Sequence, residues 1–181
     1  EVPHSRNPSL RPHMVSALKA AARVFSVSDS LRRLALELGV DAEKTEVVGN
    51  GVDTQIFQPE DQAAAREKLG LPAHARILIS VGGLVERKGM HRVIDCLPAL
   101  MQLHPDLLYL IVGSGGPEGD MRAELDAQVR RLGLSGHVHF LGALPPEELK
   151  WPLSASDMFV LATRNEGWAN VFLEAMACGL P

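Results

Sequence analysis

Short runs of apolar residues alternate along the chain with segments in which apolar residues recur at helical spacing. The runs Arg76–Val81 and Leu107–Val112 are almost entirely apolar and rich in branched residues, a pattern that favours strands buried on both faces of a sheet. Each run ends in glycine, at Gly82 and at Gly113, and a helical pattern follows. This order predicts parallel strands that are connected by helices.

The same alternation extends over most of the chain. Further strands are predicted over Val24–Val27, Thr45–Val48, His137–Leu141 and Asp157–Leu161. Helices are predicted over Ser28–Gly39, Asp61–Leu69, Gly89–His104 and Asn170–Cys178. Two more helices are predicted, one that ends at Gly133 and one that begins at Pro145. Strands that alternate with helices of this length predict an α/β fold with a doubly wound parallel sheet. Ligands of such sheets bind beyond the carboxyl ends of the strands.

One stretch interrupts the alternation. Asn50-Gly51-Val52-Asp53 is rich in turn residues, and the segment with Phe57 and Pro59 that follows has no clear periodicity. We therefore predict a domain boundary here, with residues 1–56 forming the end of one domain and a linker, and residues 57–181 forming a second domain.

Composition narrows the class of protein. Apolar residues make up 46% of the 181 residues, which favours a globular chain, and no apolar run reaches the roughly 18 residues of a membrane helix. The net charge of -4 comes from scattered residues, which argues against nucleic-acid binding. Cys96 and Cys178 both lie in apolar helical patterns, so we expect buried thiols rather than a disulfide or a zinc site.

The first polar cluster follows the strand that ends at Val81. Gly82 and Gly83 carry no side chain, so the backbone can approach a ligand closely, and Arg87 and Lys88 precede the next helix. Such a loop can cradle a diphosphate. The same segment would also serve as an ordinary tight turn with a solvated pair of cations, and its residues alone do not separate the two interpretations.

The second cluster is the loop Gly113-Ser114-Gly115-Gly116, again between a strand and a helix. Glu118 stands where the dinucleotide fingerprint requires its third glycine. A nicotinamide site is therefore weakly supported. A flexible glycine loop that borders the ligand site is the simpler interpretation.

The third cluster is a pair of glutamates around the start of the last predicted helix. Glu166 lies in the preceding loop and Glu174 about one turn into the helix, so both carboxylates can face one ligand, and the amides of residues 167–170 suit a phosphate. Taken singly, Glu166 would be an exposed loop residue and Glu174 a glutamate favoured by the helix dipole. The apolar neighbours of Glu174 predict a largely buried helix, however, and a hydroxyl-rich ligand explains a carboxylate there better.

These residues resemble the retaining glycosyltransferases of two-domain GT-B architecture, glycosyltransferase family 4, also called glycosyl transferases group 1. The resemblance covers nearly everything after Arg23. Its matching segments are Val27-Ser28, Asn50–Asp53 with Phe57, Lys88-Gly89, Ile111–Gly115, Phe140–Gly142, and the glutamate pair followed by Ala-Met-Ala-Cys-Gly-Leu-Pro. It implies that residues 1–56 are a remnant of the N-terminal acceptor domain with the linker, and that residues 57–181 are a Rossmann-like donor-binding domain, truncated at its C-terminus.

The resemblance also implies roles for single residues. Lys88 would bind the diphosphate of the donor, Glu166 the hydroxyls of the transferred sugar near the reacting carbon, and Glu174 the ribose hydroxyls. The amides that follow Gly167 would hold the distal phosphate, and the 141–144 loop would border the base. Glu166 is thus the expected catalytic residue, and the expected substrate-binding residues are Gly82, Gly83, Arg87, Lys88, Gly113, Leu144, Gly167, Trp168, Ala169, Asn170 and Glu174.

The chain departs from the family pattern at three of these positions. The family commonly has arginine where this chain has Gly83, so its usual second cation is missing, and whether Arg87 replaces it is left open. Trp168 and Ala169 stand where phenylalanine and glycine are frequent, which would narrow the pocket but leave the backbone amides available.

The residue types fit a metal-free transfer. Cleavage of a sugar–diphosphate bond builds negative charge on the leaving oxygen, which a fixed cation and helix amides can stabilise. The chain contains no Asp-x-Asp pair, so we expect neither a metal site nor a cofactor, and Lys88 with the helix amides would take that role. Glu166 would act as a nucleophile or stabilise an oxocarbenium-like sugar.

Three other functions fit parts of the same pattern. They are a nucleotide-sugar epimerase, a nicotinamide-dependent oxidoreductase and a non-catalytic nucleotide-binding module; the glutamate pair argues against the first and the broken glycine fingerprint against the second.

The resemblance implies a nucleotide-sugar donor and a carbohydrate, lipid or small-molecule acceptor. It also implies a location in the cytoplasm or at the inner face of the membrane, with any membrane association made through the N-terminal domain. We expect the isolated 181-residue chain to be inactive, because acceptor and donor meet between two domains.

Overall fold

The computed structural model describes residues 6–164 and 168–181. These residues divide into two compact units. The first contains the residues up to Gly51 together with Trp168 and Ala169, and the second contains Val52–Arg164 and Asn170–Pro181. This division falls inside the turn-rich segment that the sequence marks, whereas the domain limit at residue 56 stays a prediction.

The first unit contains a parallel strand–helix–strand arrangement. Its elements are α1 (Arg11–Ala20), β1 (Val24–Ser26), α2 (Asp29–Glu37) and β2 (Thr45–Val47). Ser28 caps α2, because its side chain accepts a hydrogen bond from the backbone of Leu31 at 3.4 Å. β1 and β2 pair in parallel, with Val24 opposite Thr45. The predicted strand-to-helix step is confirmed, and each strand ends one residue earlier than predicted.

The second unit carries the longer alternation of strands and helices. Its elements are α3 (Gln62–Lys68), β3 (Arg76–Val81), α4 (Met90–Met101), β4 (Leu107–Val112), α5 (Arg122–Arg131), β5 (Val138–Gly142), α6 (Pro146–Ala155), β6 (Met158–Phe159) and α7 (Asn170–Ala177). The bounds of β3 and β4 agree with the sequence prediction. Asp61 caps α3 by accepting a hydrogen bond from the backbone of Ala64 at 2.8 Å.

The four strands β5, β4, β3 and β6 form one sheet in that order, and all neighbouring pairs are parallel. Every residue of β4 is buried. Tyr109 and Ile111 of β4 share a core with Ile94 and Leu97 of α4 and with Leu125 of α5. The α/β class with a parallel sheet is thus confirmed, and the carboxyl ends of the four strands lie at one edge of the sheet.

Strand β6 is much shorter than the predicted Asp157–Leu161. It pairs with β3 at Met158 and Phe159 only. Val160 continues the ladder through its amide, which donates to Ile79, but its carbonyl oxygen accepts the hydroxyl of Ser80 at 2.5 Å. The strand ends at Phe159, and a side chain of β3 binds the backbone of the residue that follows it.

Two expectations about burial need correction. Cys96 is exposed, whereas Cys178 is buried as predicted. The buried face of α4 is formed by Met90, Ile94 and Leu97, and Cys96 lies on the opposite side of the helix because successive residues are rotated by about 100°.

Helix α7 is also less enclosed than its apolar sequence suggests. Val171 and Ala175 are buried, whereas the side chain of Met176 is 55% exposed.

In the part of the chain that the structure describes, no helix is long and apolar enough to cross a membrane.

Candidate functional site

The loops after β3 and β4 and the last residue of β5 are joined at the carboxyl edge of the sheet by backbone hydrogen bonds. The amide of Leu84 donates to Ser114 at 2.8 Å, and the amide of Gly113 donates to Gly142 at 2.8 Å. Loops that follow neighbouring parallel strands meet at the same edge. The glycine segments singled out from the sequence therefore lie together.

At Gly113 and Gly89 a neighbouring backbone leaves no room for a side chain. Gly113 has a φ of +144°, and a Cβ there would collide with the carbonyl oxygen of Gly82. Gly89 has a φ of +73°, and a Cβ there would collide with the carbonyl oxygen of Ala162. Both glycines thus allow the segments that follow different strands to approach closely.

Lys88 lies back over Gly82. It ends a short 3-10 turn, Glu86–Lys88, and a Cβ added to Gly82 would meet the Cε of Lys88 at 3.4 Å and its Cδ at 3.5 Å. The stem of Lys88 therefore packs over Gly82, at ordinary van der Waals distance from the position of an added Cβ. At Gly83 the nearest atom to an added Cβ is the carbonyl oxygen of Ser114 at 3.8 Å, which is also ordinary contact.

Arg87 forms a two-point ion pair with Glu118. Its Nε donates to one carboxylate oxygen at 2.9 Å and a terminal nitrogen donates to the other at 2.7 Å. The hydrogen bonds from Arg87 lower the pKa of the Glu118 carboxyl. The pair connects the segment after β3 to the glycine loop after β4.

The backbone of Arg87 connects the same turn to the segment after β6. Its carbonyl oxygen accepts the amide of Arg164 at 2.9 Å and the hydroxyl of Thr163 at 3.1 Å. The segments that follow β3, β4 and β6 therefore converge on the short turn that contains Arg87 and Lys88.

Helix α7 begins at Asn170 and places Glu174 one turn further along. The helix is anchored near the sheet by an edge-to-face contact between Phe172 and Phe159, with ring centroids 5.5 Å apart. Glu174 is half-buried, and desolvation raises the pKa of its carboxyl. The structure gives this carboxylate neither a hydrogen bond nor an ion pair among the described residues.

Trp168 and Ala169 belong to the first compact unit. Ala169 is buried, and the Trp168 side chain is 48% exposed. The side chain of Asn50 donates to the carbonyl oxygen of Trp168 at 3.5 Å. Asn50 and Trp168 also line a cavity of about 350 Å³ inside this unit, next to Ser26 and Val27.

Three predicted site residues remain, Leu144, Glu166 and Gly167. Leu144 lies two residues after the end of β5 and is partly buried. Glu166 and Gly167 lie outside the described residues, so their expected roles stay predictions. Among the residues that the structure describes, no group of three or more histidine, cysteine, aspartate or glutamate side chains could hold a metal ion.

The structure thus brings together Gly82, Gly83, Arg87, Lys88 and Gly113. Sequence reasoning missed two residues that contact this group, Glu118 and Thr163. Glu118 was considered only as the residue that breaks the glycine fingerprint. The sequence did contain a signal for this contact, because Arg87 and Glu118 carry opposite charges and each lies shortly after the end of one of two strands that turn out to be neighbours.

Two family models match the chain. Residues 61–181 match the model described as Glycosyl transferases group 1, and residues 2–56 match the model described as Glycosyltransferase Family 4. The first match covers most of the second compact unit. It includes every site residue that the structure places at the carboxyl edge of the sheet.

Curated relatives carry related names. The chain is 33% identical over 141 residues to the D-inositol 3-phosphate glycosyltransferase of Segniliparus rotundus, covering 78% of this chain and 31% of the relative. It is 35% identical over 144 residues to the GDP-mannose-dependent monoacylated alpha-(1-6)-phosphatidylinositol monomannoside mannosyltransferase of Corynebacterium glutamicum, covering 73% of this chain and 36% of the relative. The chain thus spans about a third of the length of these relatives.

A solved structure shows the same fold. The Anabaena protein Alr3699/HepE, determined in complex with UDP and glucose, superposes with a TM-score of 0.84 at 29% identity, covering 99% of this chain and 48% of that protein. The likeness extends over both compact units of the chain.

Proposed function

This chain belongs to the glycosyl transferases group 1 family, and from that premise we propose that the full-length protein transfers a sugar from a nucleotide-diphosphate sugar to an acceptor hydroxyl, with retention of the anomeric configuration. The relatives named above are glycosyltransferases, which favours transfer over an epimerase or a non-catalytic nucleotide-binding module. Because the chain spans only part of those relatives, the activity is proposed for the full-length protein, and the isolated 181-residue chain is expected to transfer no sugar, even if it retains some donor affinity.

The placement of Lys88 carries this proposal. Its side chain runs over Gly82, at the carboxyl end of the strand that lies between β4 and β6. This edge is where parallel sheets bind ligands. When the bond between the sugar and the diphosphate breaks, negative charge grows on the leaving oxygen, and a cation already fixed at that point lowers the barrier.

Glu174 supplies the second element of the proposed donor site. Among the described residues this half-buried carboxylate has no hydrogen-bonding partner, and such a group is costly to keep in a folded protein. The ribose hydroxyls of a nucleotide would donate to it and offset that cost. The start of α7 at Asn170 offers backbone amides and the positive end of the helix dipole to a phosphate.

Retention is proposed through Glu166 as the catalytic group. A retaining transfer requires a nucleophile that forms a covalent intermediate or a group that stabilises an oxocarbenium-like sugar on one face. We assign Glu166 to one of these roles. We propose that the backbone amides of Gly167, Trp168 and Ala169 bind the distal phosphate and that Leu144 borders the base. No metal or other cofactor is proposed, because the chain lacks an Asp-x-Asp pair.

The proposed partners are a nucleotide-sugar donor and a carbohydrate, lipid or small-molecule acceptor. UDP and glucose are bound in the Anabaena structure, and the Corynebacterium relative is named as GDP-mannose-dependent. UDP-glucose and GDP-mannose are therefore the first donors to test. We place the reaction in the cytoplasm or at the inner face of the membrane.

The first prediction concerns the cation at the diphosphate. Lys88→Ala should lower kcat/KM for the nucleotide sugar by about 10²- to 10³-fold, because the leaving diphosphate loses its fixed positive charge. Arg87→Ala should have a smaller effect. The measurement is transfer by the full-length protein from UDP-glucose or GDP-mannose to D-inositol 3-phosphate, with EDTA present and the anomeric configuration of the product read by NMR.

Lys68→Ala is the matched control, because Lys68 lies on α3 beside Glu148 at 3.8 Å, away from the glycine loops. Its kcat/KM should be unchanged. Full activity of Lys88→Ala would remove this lysine from the site, and loss of activity in EDTA would contradict the metal-free mechanism. A product with inverted configuration would contradict the role of Glu166.

A further inference from the structure

Two hydroxyl groups form a hydrogen-bonded pair inside the second unit. Tyr109 of β4 and Ser80 of β3 are 0% and 1% exposed, and the Tyr109 hydroxyl lies 2.6 Å from the Ser80 oxygen. The Ser80 oxygen lies in turn 2.5 Å from the carbonyl oxygen of Val160. A carbonyl oxygen only accepts, so the single proton of Ser80 goes to Val160 and Tyr109 donates to Ser80. Burial raises the pKa of Tyr109, so its hydroxyl keeps the proton at neutral pH.

These two residues are the only ones in β3 and β4 that carry a hydroxyl. Tyr109 lies in a core that is otherwise formed by apolar side chains, among them Ile94 and Ile111. A buried hydroxyl lowers stability unless it is hydrogen-bonded. Both hydroxyls are bonded here, and the chain of hydrogen bonds ends on one backbone group, the carbonyl of Val160. The pair therefore holds that carbonyl in place.

The segment that follows β6 packs on the turn that contains Lys88. The carbonyl oxygen of Ala162 lies so close to Gly89 that a Cβ there would collide with it. The hydroxyl of Thr163 and the next amide along the chain donate to the carbonyl oxygen of Arg87 at 3.1 and 2.9 Å. Both residues that flank Lys88 are therefore in contact with this segment.

Only a short piece of chain separates the Ser80 hydrogen bond from these contacts. Val160 and Ala162 are two residues apart, so their Cα atoms are separated by at most about 7 Å. A backbone carbonyl inside a protein requires a donor. Without the Ser80 hydroxyl, the peptide group of Val160 would turn toward another donor. That rotation would shift the residues that follow and, with them, the turn that they contact.

We propose that Ser80 is a positioning residue of the transfer reaction, because its hydroxyl fixes the segment after β6 and thereby the place of Lys88 at the donor diphosphate. Tyr109 supports this role by donating to the Ser80 oxygen and so orienting the hydroxyl. The inference rests on the proposed function and deepens it. A fixed cation acts most strongly where charge develops in the transition state. A small displacement of Lys88 therefore slows transfer more than it weakens donor binding.

The test compares Ser80→Ala, Tyr109→Phe and the double variant in the full-length protein. Transfer from UDP-glucose or GDP-mannose gives kcat, and calorimetry gives the donor Kd and the number of binding sites per chain. Expressed per binding site, kcat of Ser80→Ala should fall about 10-fold, as expected for a misplaced catalytic group. Its donor Kd should change less than about 2-fold. Tyr109→Phe should lower kcat less, because the Ser80 hydroxyl remains, and the double variant should match Ser80→Ala.

Ser156→Ala is the matched control. Ser156 is also buried, and its hydroxyl donates to the carbonyl oxygen of Pro152 at 2.7 Å, so this change likewise removes a buried hydrogen bond to the backbone. Ser156 precedes β6 and thus lies at the edge of the sheet away from the glycine loops. It should leave kcat per binding site unchanged, and urea unfolding compares the stability that each variant loses.

If the hydroxyl pair contributed to stability alone, Ser80→Ala would keep kcat per binding site as Ser156→Ala does, and that result would overturn the inference. If Ser80→Ala does not fold, Tyr109→Phe decides: a lower kcat per site at unchanged Kd supports the inference, and an unchanged kcat overturns it. If wild-type protein transfers sugar and Lys88→Ala slows it while Ser80→Ala does not, only this inference fails. If wild-type protein transfers from neither donor, the proposed function fails with it.

Discussion

Glu174 shows how one residue connects stability with the proposed function. Its pKa is raised by desolvation, which means that the folded chain binds the proton of this carboxyl more readily than the unfolded chain does. Stability contributed by the protonated form is present at low pH and is lost as the pH rises through the raised pKa. At neutral pH the ionised carboxylate therefore costs stability.

Glu174→Gln should accordingly raise the free energy of unfolding at neutral pH and weaken donor binding at the same time. The amide removes the cost of a desolvated charge, but it is a poorer acceptor for the ribose hydroxyls. Urea unfolding at acidic and neutral pH checks the first effect, and calorimetry with the donor checks the second. The gain in stability should vanish at acidic pH, where the wild-type carboxyl is already neutral.

The matched control is Glu147→Gln, an exposed glutamate in the first turn of α6, which should leave donor affinity unchanged. A variant at Glu174 that is less stable than wild type at neutral pH would show that the carboxylate has a stabilising partner. Unchanged donor affinity would remove Glu174 from the proposed site.

At the scale of elements, the glycine loops determine how closely the strand ends approach. Gly113 and Gly116 belong to the same loop but differ in their surroundings. A Cβ at Gly113 would collide with the carbonyl oxygen of Gly82, whereas a Cβ at Gly116 would meet nothing within 4 Å. Of these two glycines, Gly113 has a positive φ, at +144°, and Gly116 does not.

Gly113→Ala should therefore disturb the site, and Gly116→Ala should not. The first change adds a backbone clash and an unfavourable φ, which together cost about 2–4 kcal/mol, and it moves the loop beside Gly82, so donor affinity should fall at least ~10-fold. The second change should alter stability by less than about 0.5 kcal/mol. Urea unfolding and donor calorimetry on both variants measure the difference, and equal behaviour of the two would contradict the packing argument.

At the scale of the molecule, a buried arginine ties together distant parts of the second unit. Arg66 of α3 is 6% exposed and donates to the carbonyl oxygens of Ala73 and Ala155 and to both oxygens of Asp157 at 3.0 Å. Asp157 in turn accepts the amide of Ile77 at 2.8 Å. One network thus joins the start of β3, the end of α6 and the residue before β6.

Arg66→Ala should destabilise the protein by about 3 kcal/mol, because it removes charge-assisted hydrogen bonds and leaves Asp157 without its cation. The side chain of Asp157 is 43% exposed, so water relieves part of the loss. Arg131→Ala, on an exposed position of α5, is the control and should cost less than about 0.5 kcal/mol. Urea unfolding of both variants compares them, and an equal, small effect would show that the network adds little to stability.

The sequence by itself determined the elements and their class. Continuous apolar runs predicted the bounds of β3 and β4, and the helices predicted to start at Ser28 and Asp61 do begin there, with these two residues as side-chain caps. These features depend on residues that are near one another in the chain, so a periodicity or a cap is sufficient to predict them. The family could be named from the sequence for the same reason, because its motifs are short and contiguous.

Only the tertiary structure decided which strands are neighbours and which loop residues meet. The order β5-β4-β3-β6, the ion pair of Arg87 with Glu118 and the early end of β6 at the hydroxyl of Ser80 all join residues that are far apart in the chain. The exposure of Cys96 also depends on which face of α4 packs on the sheet. Local patterns do not contain such information, because it arises when separate segments compete for the same space and the same hydrogen-bonding groups.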